Sequence, residues 1–194
     1  DKERSKLYYS MYRNSERILR LINQLMDLRK IDKGKMQLSF QETEMIEFIN
    51  DLCDTMAEQA NKKKIHFQFL HTDIEKLNLW IDPNYFDKII LNILSNAFKF
   101  TPEYGEISIR LNTIQDNSIK GPLSQCAEIT VTDTGSGIPE EQMEHIFKRF
   151  YQADNATKGS KGTGIGLHLT HSLVELHHGE ISCKNNTPAP GCQF

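Results

Sequence analysis

The segment 92–101 (Asn-Ile-Leu-Ser-Asn-Ala-Phe-Lys-Phe-Thr) combines two asparagines and a lysine whose spacing suits a helix. Asn92 and Asn96 are four residues apart, so both amides project from one helix face, and Lys99 follows about one turn later. Mg²⁺ binds oxygen ligands and usually keeps water and nucleotide phosphates around it. The segment therefore suits a site for metal and phosphate, although two helical asparagines also fit ordinary polar contacts.

Asp133 ends a strand-like run and is followed by Gly135 and Gly137. Ligand sites of α/β proteins tend to lie at the ends of strands, and glycines let the backbone turn sharply against a flat ligand. A buried carboxylate here can accept the exocyclic amine of adenine, whereas guanine presents a carbonyl at that position. A plain Asp-Gly turn between a strand and a helix is the alternative interpretation.

Three glycines, Gly162, Gly164 and Gly166, alternate with other residues at the start of a predicted helix that includes Leu167. Exposed backbone N–H groups and the partial positive charge of a helix N-terminus favour phosphate binding. The run is not GxGxxG, because Leu167 stands where that pattern needs a small residue, and it is not GxxxxGK[ST]. A flexible hinge is the alternative.

The elements that position these segments follow from hydrophobic periodicity. The predicted helices span about 2–31, 45–60, 83–100, 139–147 and 163–179. The predicted strands span 36–42, 64–70, 77–82, 105–115, 126–133 and 180–185, and the last residues before Phe194 also form a strand. This order predicts an α+β fold, a two-layer α/β sandwich with one mixed sheet and helices on one face, preceded by one long helix that ends at Gly34. The expected domains are 1–34 and 35–194.

Composition narrows the classes of function. The net charge of −3 gives no basic footprint for nucleic acid or an anionic membrane. The four cysteines form no CxxC pair, so they are interpreted as small buried hydrophobic residues in a reducing compartment. No apolar run reaches membrane-spanning length. Both ends look abrupt, and the chain is expected to be a piece of a longer protein.

Taken together and in this order, the motifs resemble those of the catalytic domain of sensor histidine kinases, in the superfamily of gyrase, Hsp90 and MutL. The matching segments are the N box at 92–101, the first glycine box at 133–138, the F box at 147–151 and the second glycine box at 162–167. The first helix resembles the second helix of the hairpin used for dimerisation and phosphotransfer, most closely that of hybrid sensors.

The resemblance implies a Bergerat ATP-binding fold with ATP and Mg²⁺ as cofactors and a mobile lid at about 152–161. It implies Asn96 as the Mg²⁺ ligand, Lys99 as a phosphate contact and Asp133 as the acceptor for adenine, with Phe147 and Phe150 anchoring the lid. The implied catalytic residues are Asn92, Asn96 and Lys99. The implied cofactor-binding residues are Asn96, Lys99, Phe100, Asp133, Gly135, Gly137, Ile138, Phe150, Lys161, Gly162, Thr163, Gly164, Gly166 and Leu167.

The same resemblance implies a homodimer formed through the hairpin, a response-regulator receiver domain as partner, no nucleic acid, and a cytoplasmic location within a membrane-anchored sensor. None of the seven histidines lies in a His-Glu-x-x-x-Pro acceptor motif. The γ-phosphate is therefore expected to pass to a histidine on a helix outside this sequence, and from there to a response-regulator aspartate. The chain alone is not expected to phosphorylate itself.

Two positions, Asn92 and Gln152, differ from the residues found in some members of the superfamily. Hydrolysing members of the superfamily carry Glu where this chain has Asn92, and an amide is no general base. This disfavours the alternative of an ATPase that drives a conformational cycle; a non-catalytic signalling scaffold is the other alternative. Gln152 replaces an arginine that contacts the γ-phosphate in some members. That role would be vacant or would pass to one of four basic residues: Lys148, Arg149, Lys158 or Lys161.

Overall fold

The computed structural model describes residues 2–71, 74–115, 125–152 and 163–194. The helices are α1 (Lys2–Asp32), α2 (Met45–Lys63), α3 (Pro83–Phe100), α4 (Glu140–Met143) and α5 (Gly166–Leu176). The strands are β1 (Gln41–Glu44), β2 (His66–Leu70), β3 (Asn78–Ile81), β4 (Glu106–Gln115), β5 (Gln125–Asp133), β6 (Lys184–Asn185) and β7 (Cys192–Gln193). The protein is an α+β sandwich preceded by one long helix, as the sequence predicts.

The main sheet has five strands in the order β2-β4-β5-β7-β6. β2 runs parallel to β4, while β5, β7 and β6 continue the sheet in antiparallel fashion. α2 and α3 pack against this sheet, and α5 packs against α3. The fully buried side chains of Phe98, Ile107 and Leu111 belong to the core between these layers.

Local sequence sets the starts of α2 and α3. Glu44 accepts a hydrogen bond from the backbone N–H of Glu47 at 2.7 Å. Asp82 accepts from Asn84 and Tyr85 at 3.1 and 3.2 Å, and Pro83 occupies the first helical position. These side chains bind N–H groups that have no partner within the helix, so the predicted start of α3 is confirmed.

The strand predicted at 36–42 is wrong in its position, because the ladder begins only at Gln41. Residues 36–40 are irregular, and the Ser39 N–H donates to Asp82 Oδ2 at 2.7 Å instead of to a strand. β1 pairs with β3 in a separate two-stranded sheet, which the single predicted sheet did not include. A strand forms only where a partner backbone lies alongside, and β3 is four residues long.

Three other elements, α4, α5 and β6, are shorter than predicted. α4 stops at Met143, after which His145 and Lys148 donate to carbonyls three residues earlier, forming turns. α5 begins at Gly166 instead of near residue 163, and β6 covers only Lys184–Asn185. No helix in the described ranges is long and apolar enough to cross a bilayer.

The α1 helix ends at Asp32, and Gly34 terminates it, as predicted. Gly34 has φ 61° and its N–H donates to Ile31 O, while the Lys35 N–H donates to Lys30 O. Its C-terminal half rests on the rest of the protein, where Leu28 is 3% exposed. Between residues 7 and 26 the helix also presents a row of exposed apolar side chains, which includes Leu7, Tyr8, Met11, Ile18, Leu19, Ile22, Leu25 and Met26. The apolar stripe is thus only partly covered within this chain.

Candidate functional site

A cavity of about 1050 Å³ lies between α3, the loop after β5, the start of α5 and α1. The predicted site residues that line it are Asn92, Asn96, Lys99, Phe100, Asp133, Gly137, Ile138, Thr163, Gly164, Gly166 and Leu167. Two others, Gly135 and Phe150, do not reach its wall, and Lys161 and Gly162 lie outside the described residues. The predicted lid lies outside them too, except for Gln152, which is on the wall.

α3 divides its faces between the core and the cavity. Ile93, Leu94, Ala97 and Phe98 are buried in the core, while Asn92, Asn96 and Lys99 are half-buried and face the cavity. Burial lowers the pKa of Lys99, and the nearby charge of Arg17 lowers it further. The helix therefore presents one amide pair and one partly desolvated ammonium group to the same cavity.

Asn92 is fixed by a contact with α5. Its Nδ2 donates to the hydroxyl of Thr170 at 2.8 Å, and Thr170 is 1% exposed. The side chain also lies against Gly166, where an added Cβ would approach Asn92 Cγ to 3.1 Å and collide with Oδ1. An amide held in this way joins α3 to α5 and has no basic group that could activate water.

Asp133 is buried, at 4% exposure, and its carboxylate accepts hydrogen bonds from two of the residues that the structure describes. The N–H of Gly135 donates to Oδ1 at 2.8 Å, and the Cys192 thiol donates to Oδ2 at 3.0 Å. Gly135 therefore orients Asp133 and does not itself line the cavity. A carboxylate held in one plane can accept a further donor from the cavity, such as the amine of an adenine ring.

Cys192 is a site residue that the sequence interpretation missed. It lines the cavity beside Asp133, and its pKa is raised by the hydrogen bond with Cys183, by burial and by the charge of Asp133. The thiol therefore stays protonated and remains a donor to the carboxylate. The contact joins residues 59 positions apart, so no local sequence pattern indicates it.

Two asparagines that follow the start of β6 also hold the loop after β5. Asn185 accepts from the Ile138 N–H at 2.8 Å and donates to its carbonyl at 2.6 Å. Asn186 donates to the backbone carbonyl of Asp133 at 2.8 Å. Both line the cavity. Paired asparagines before a turn are the only sequence signal for them, and that signal alone indicates just a loop.

The F box and the second glycine box meet through their backbones. The Phe150 N–H donates to Gly164 O at 2.8 Å. Gly164 has φ 68°, and an added Cβ would come within 2.7 Å of Tyr151 O, so this position requires glycine. The Phe150 side chain is 60% exposed, so the expected anchoring of this ring in the core is not seen. Phe147 packs against Phe194 at 6.3 Å between ring centroids.

The residue set fits an adenine nucleotide with a divalent ion. Asp133 can accept the base amine, Lys99 can bind phosphate, and Asn96 offers one amide oxygen. In the described ranges no three side chains of the His, Cys, Asp or Glu type converge on a metal position. A divalent ion at Asn96 would therefore take most of its ligands from phosphate and water.

Comparison with known proteins identifies relatives that match nearly the whole chain. Residues 81–194 match the family model for histidine kinase-, DNA gyrase B- and HSP90-like ATPases. The sensor histidine kinase TmoS of Ectopseudomonas mendocina is 35% identical over 97% of this chain, which spans 18% of TmoS. The hybrid signal transduction histidine kinase D of Dictyostelium discoideum is 32% identical over 94% of the chain, which spans 11% of that protein.

Solved structures agree in fold. The catalytic domain of histidine kinase ThkA matches 81% of this chain and 93% of its own at 28% identity and a TM-score of 0.67. Full-length ShkA in complex with AMPPNP matches 92% of this chain and 35% of its own at 21% identity and a TM-score of 0.75. ThkA in complex with the response regulator TrrA matches 91% of this chain and 47% of that chain at 24% identity and a TM-score of 0.66.

Proposed function

The chain belongs to the family of histidine kinase-, DNA gyrase B- and HSP90-like ATPases, and we propose that it is the ATP–Mg²⁺-binding catalytic part of a sensor histidine kinase. In this proposal residues 35–194 form the ATP-binding domain, and residues 1–34 form the second helix of a dimerisation and phosphotransfer hairpin. The γ-phosphate passes to a histidine on another helix and then to a receiver-domain aspartate.

The observation that carries the proposal is the convergence of Asn96, Lys99, Asp133 and Gly164 on one cavity. Asp133 would hold the adenine amine, and Lys99 would bind phosphate together with the N–H groups at the start of α5. Asn96 would hold Mg²⁺, which supplies charge neutralisation to phosphoryl transfer. Positioning and charge stabilisation suffice for transfer to an external nucleophile.

The site residues favour transfer of the γ-phosphate over hydrolysis of ATP. The position that would carry a water-activating carboxylate is Asn92, whose amide is bound to Thr170. The exposed apolar row on α1 supports the hairpin and a homodimer, because such a row needs partner helices. The response-regulator partner is proposed from the ThkA–TrrA complex. The membrane-anchored parent is proposed from the resemblance of the sequence motifs to those of sensor histidine kinases.

Calorimetric titration of the chain with ATP and Mg²⁺ tests the binding step. Asp133→Asn should weaken ATP by at least about tenfold, because the amide presents an N–H to the base amine and loses the charged acceptor. It should also narrow the preference for ATP over GTP. Asp54→Asn removes a carboxylate that is exposed on α2 and is the matched control. Equal ATP affinities in these two variants would contradict the proposed role of Asp133.

The transfer step needs a second protein that carries the hairpin with the acceptor histidine. Incubation with this chain and γ-labelled ATP should place acid-labile label on that histidine, and none on this chain alone. Rapid steady-state release of phosphate without a labelled acceptor would instead favour the ATPase alternative. Stable histidine labelling of the chain by itself would show that an acceptor lies among its own seven histidines.

A further inference from the structure

α1 forms one wall of the cavity, and three of the side chains that it places there are arginines. Arg13, Arg17 and Arg20 line the same cavity as Asn96 and Lys99. Positions separated by four and three residues share one helix face. At 1.5 Å of rise per residue the three arginines cover roughly 10 Å along the cavity.

The same face of α1 changes character along its length. Toward the C-terminus it carries the buried Leu28, with Leu21 and Ile31 packed against the core. One and two turns before Leu21, where α1 passes the cavity, the face carries arginines. This face of α1 thus changes from apolar to basic along its length, and Leu21 lies at the change, because it both packs against the core and lines the cavity.

Two ion pairs join α1 to other parts of the described structure. Asp27, which is 7% exposed, binds Lys88 of α3 at 2.7 Å. Asp32 at the end of α1 binds Arg149 of the F box at 2.7 Å. The second pair is exposed and contributes little by itself, but it occupies Arg149, one of the four candidates for the γ-phosphate contact. The arginine face is therefore presented to the cavity from a docked helix.

The charges around this part of the cavity are mostly positive. Arg17 is close enough to Lys99 for its charge to oppose protonation of the lysine. Glu16 is the carboxylate of α1 on the cavity wall, and it forms a hydrogen bond with Tyr12. A bound polyphosphate would offer acceptor oxygens to both cations at once.

We propose that Arg17 and Arg20 of α1 bind the polyphosphate of the nucleotide opposite Lys99, with Arg13 extending the same surface. The inference rests on the proposed function and adds the phosphate contact that Gln152 does not supply. Lys148 is exposed and is not among the residues that line the cavity, and Lys158 and Lys161 lie outside the described residues. The hairpin helix would then complete the nucleotide site that it faces.

The test compares ATP with adenosine in calorimetric titrations of the intact chain. Arg17→Gln/Arg20→Gln should weaken ATP by about tenfold or more, because each guanidinium makes charge-assisted hydrogen bonds to phosphate. Adenosine should bind as it does to the wild type. Arg29→Gln removes the same charge from an exposed position of α1 away from the cavity and should leave both ligands unaffected. Arg17→Lys/Arg20→Lys should recover part of the ATP affinity.

The outcomes separate this inference from the function on which it rests. Equal ATP affinity in the double glutamine variant and in Arg29→Gln overturns the inference and leaves the nucleotide site standing. Equal losses for ATP and adenosine also overturn it, because the arginines would then act only on the shape of the cavity. A wild-type chain that binds no ATP overturns both proposals. A weaker salt dependence of ATP binding in the double glutamine variant supports the inference.

Discussion

Gly166→Ala is a small change whose effect depends on one neighbouring side chain. Gly166 is the first residue of α5, where alanine would ordinarily be accepted. The added Cβ would collide with Asn92 Oδ1 and come within 3.1 Å of its Cγ and Nδ2. We expect Asn92 to move away from this Cβ and to give up its hydrogen bond to Thr170, which is 2.8 Å long.

The two contributions to stability have opposite signs. A compatible Gly→Ala replacement stabilises a protein by about 0.4–1 kcal/mol through the unfolded state. Loss of a partner for the hydroxyl of Thr170, which is 1% exposed, costs about 1–3 kcal/mol. The loss is the larger of the two, so Gly166→Ala should lower the free energy of unfolding by about 1–2 kcal/mol. ATP should also bind more weakly, because Asn92 lies on the cavity wall.

A double-mutant cycle isolates the cause. In an Asn92→Ala background the obstacle is absent, so Gly166→Ala should be neutral or stabilising. Urea unfolding of the four proteins should give a coupling energy of about 1–3 kcal/mol between the two positions. Additive effects, within about 0.5 kcal/mol, would refute the argument that the asparagine decides the outcome. A stabilised single variant would refute it as well.

Two further predictions concern the cavity. Cys192→Ala should weaken ATP binding by about tenfold, because Asp133 loses a donor and a hydrogen bond to a charged group contributes about 1.5–3 kcal/mol. Cys192→Ser keeps a donor and should bind ATP with nearly the wild-type affinity. Calorimetry measures both affinities, and similar values for the two variants would contradict the role of the thiol. Burial and Arg17 lower the pKa of Lys99, so ATP affinity should fall as the pH rises through that lowered pKa and the lysine loses its charge. In the same range unfolding takes up a proton, so the free energy of unfolding rises with pH. Lys99→Met should remove both dependences, and an unchanged alkaline profile of ATP affinity in this variant would assign that dependence to another group.

The bounds of several helices depend on local sequence and could therefore be predicted. Asp82 and Pro83 mark the start of α3 because a side-chain acceptor and a missing N–H suit the first helical turn. Gly34 marks the end of α1 because its left-handed backbone suits glycine. The predicted position of the strand at 36–42 was wrong, because alternation of apolar and polar residues indicates which side chains are buried and not whether a partner strand is present.

The candidate site divides in the same way. Asn92, Asn96 and Lys99 share a helix face by spacing alone, and Asp133 with its glycines forms a local turn. These residues line one cavity in the structure, which agrees with the nucleotide site that the four motifs together predict. Phe150 shows the limit of the pattern, because its ring is 60% exposed although its backbone holds Gly164 in place.

Three properties follow from the amino-acid sequence alone: the order of helices and strands, the candidate residues for nucleotide binding and the resemblance to sensor histidine kinases. These properties depend on residue type and on spacings within a few turns or one strand. Three other properties are visible only in the folded protein: Cys192 donates to Asp133, Asn92 is bound to Thr170, and the arginines of α1 line the cavity. Each of these contacts joins residues far apart in the chain, so it depends on how the layers pack.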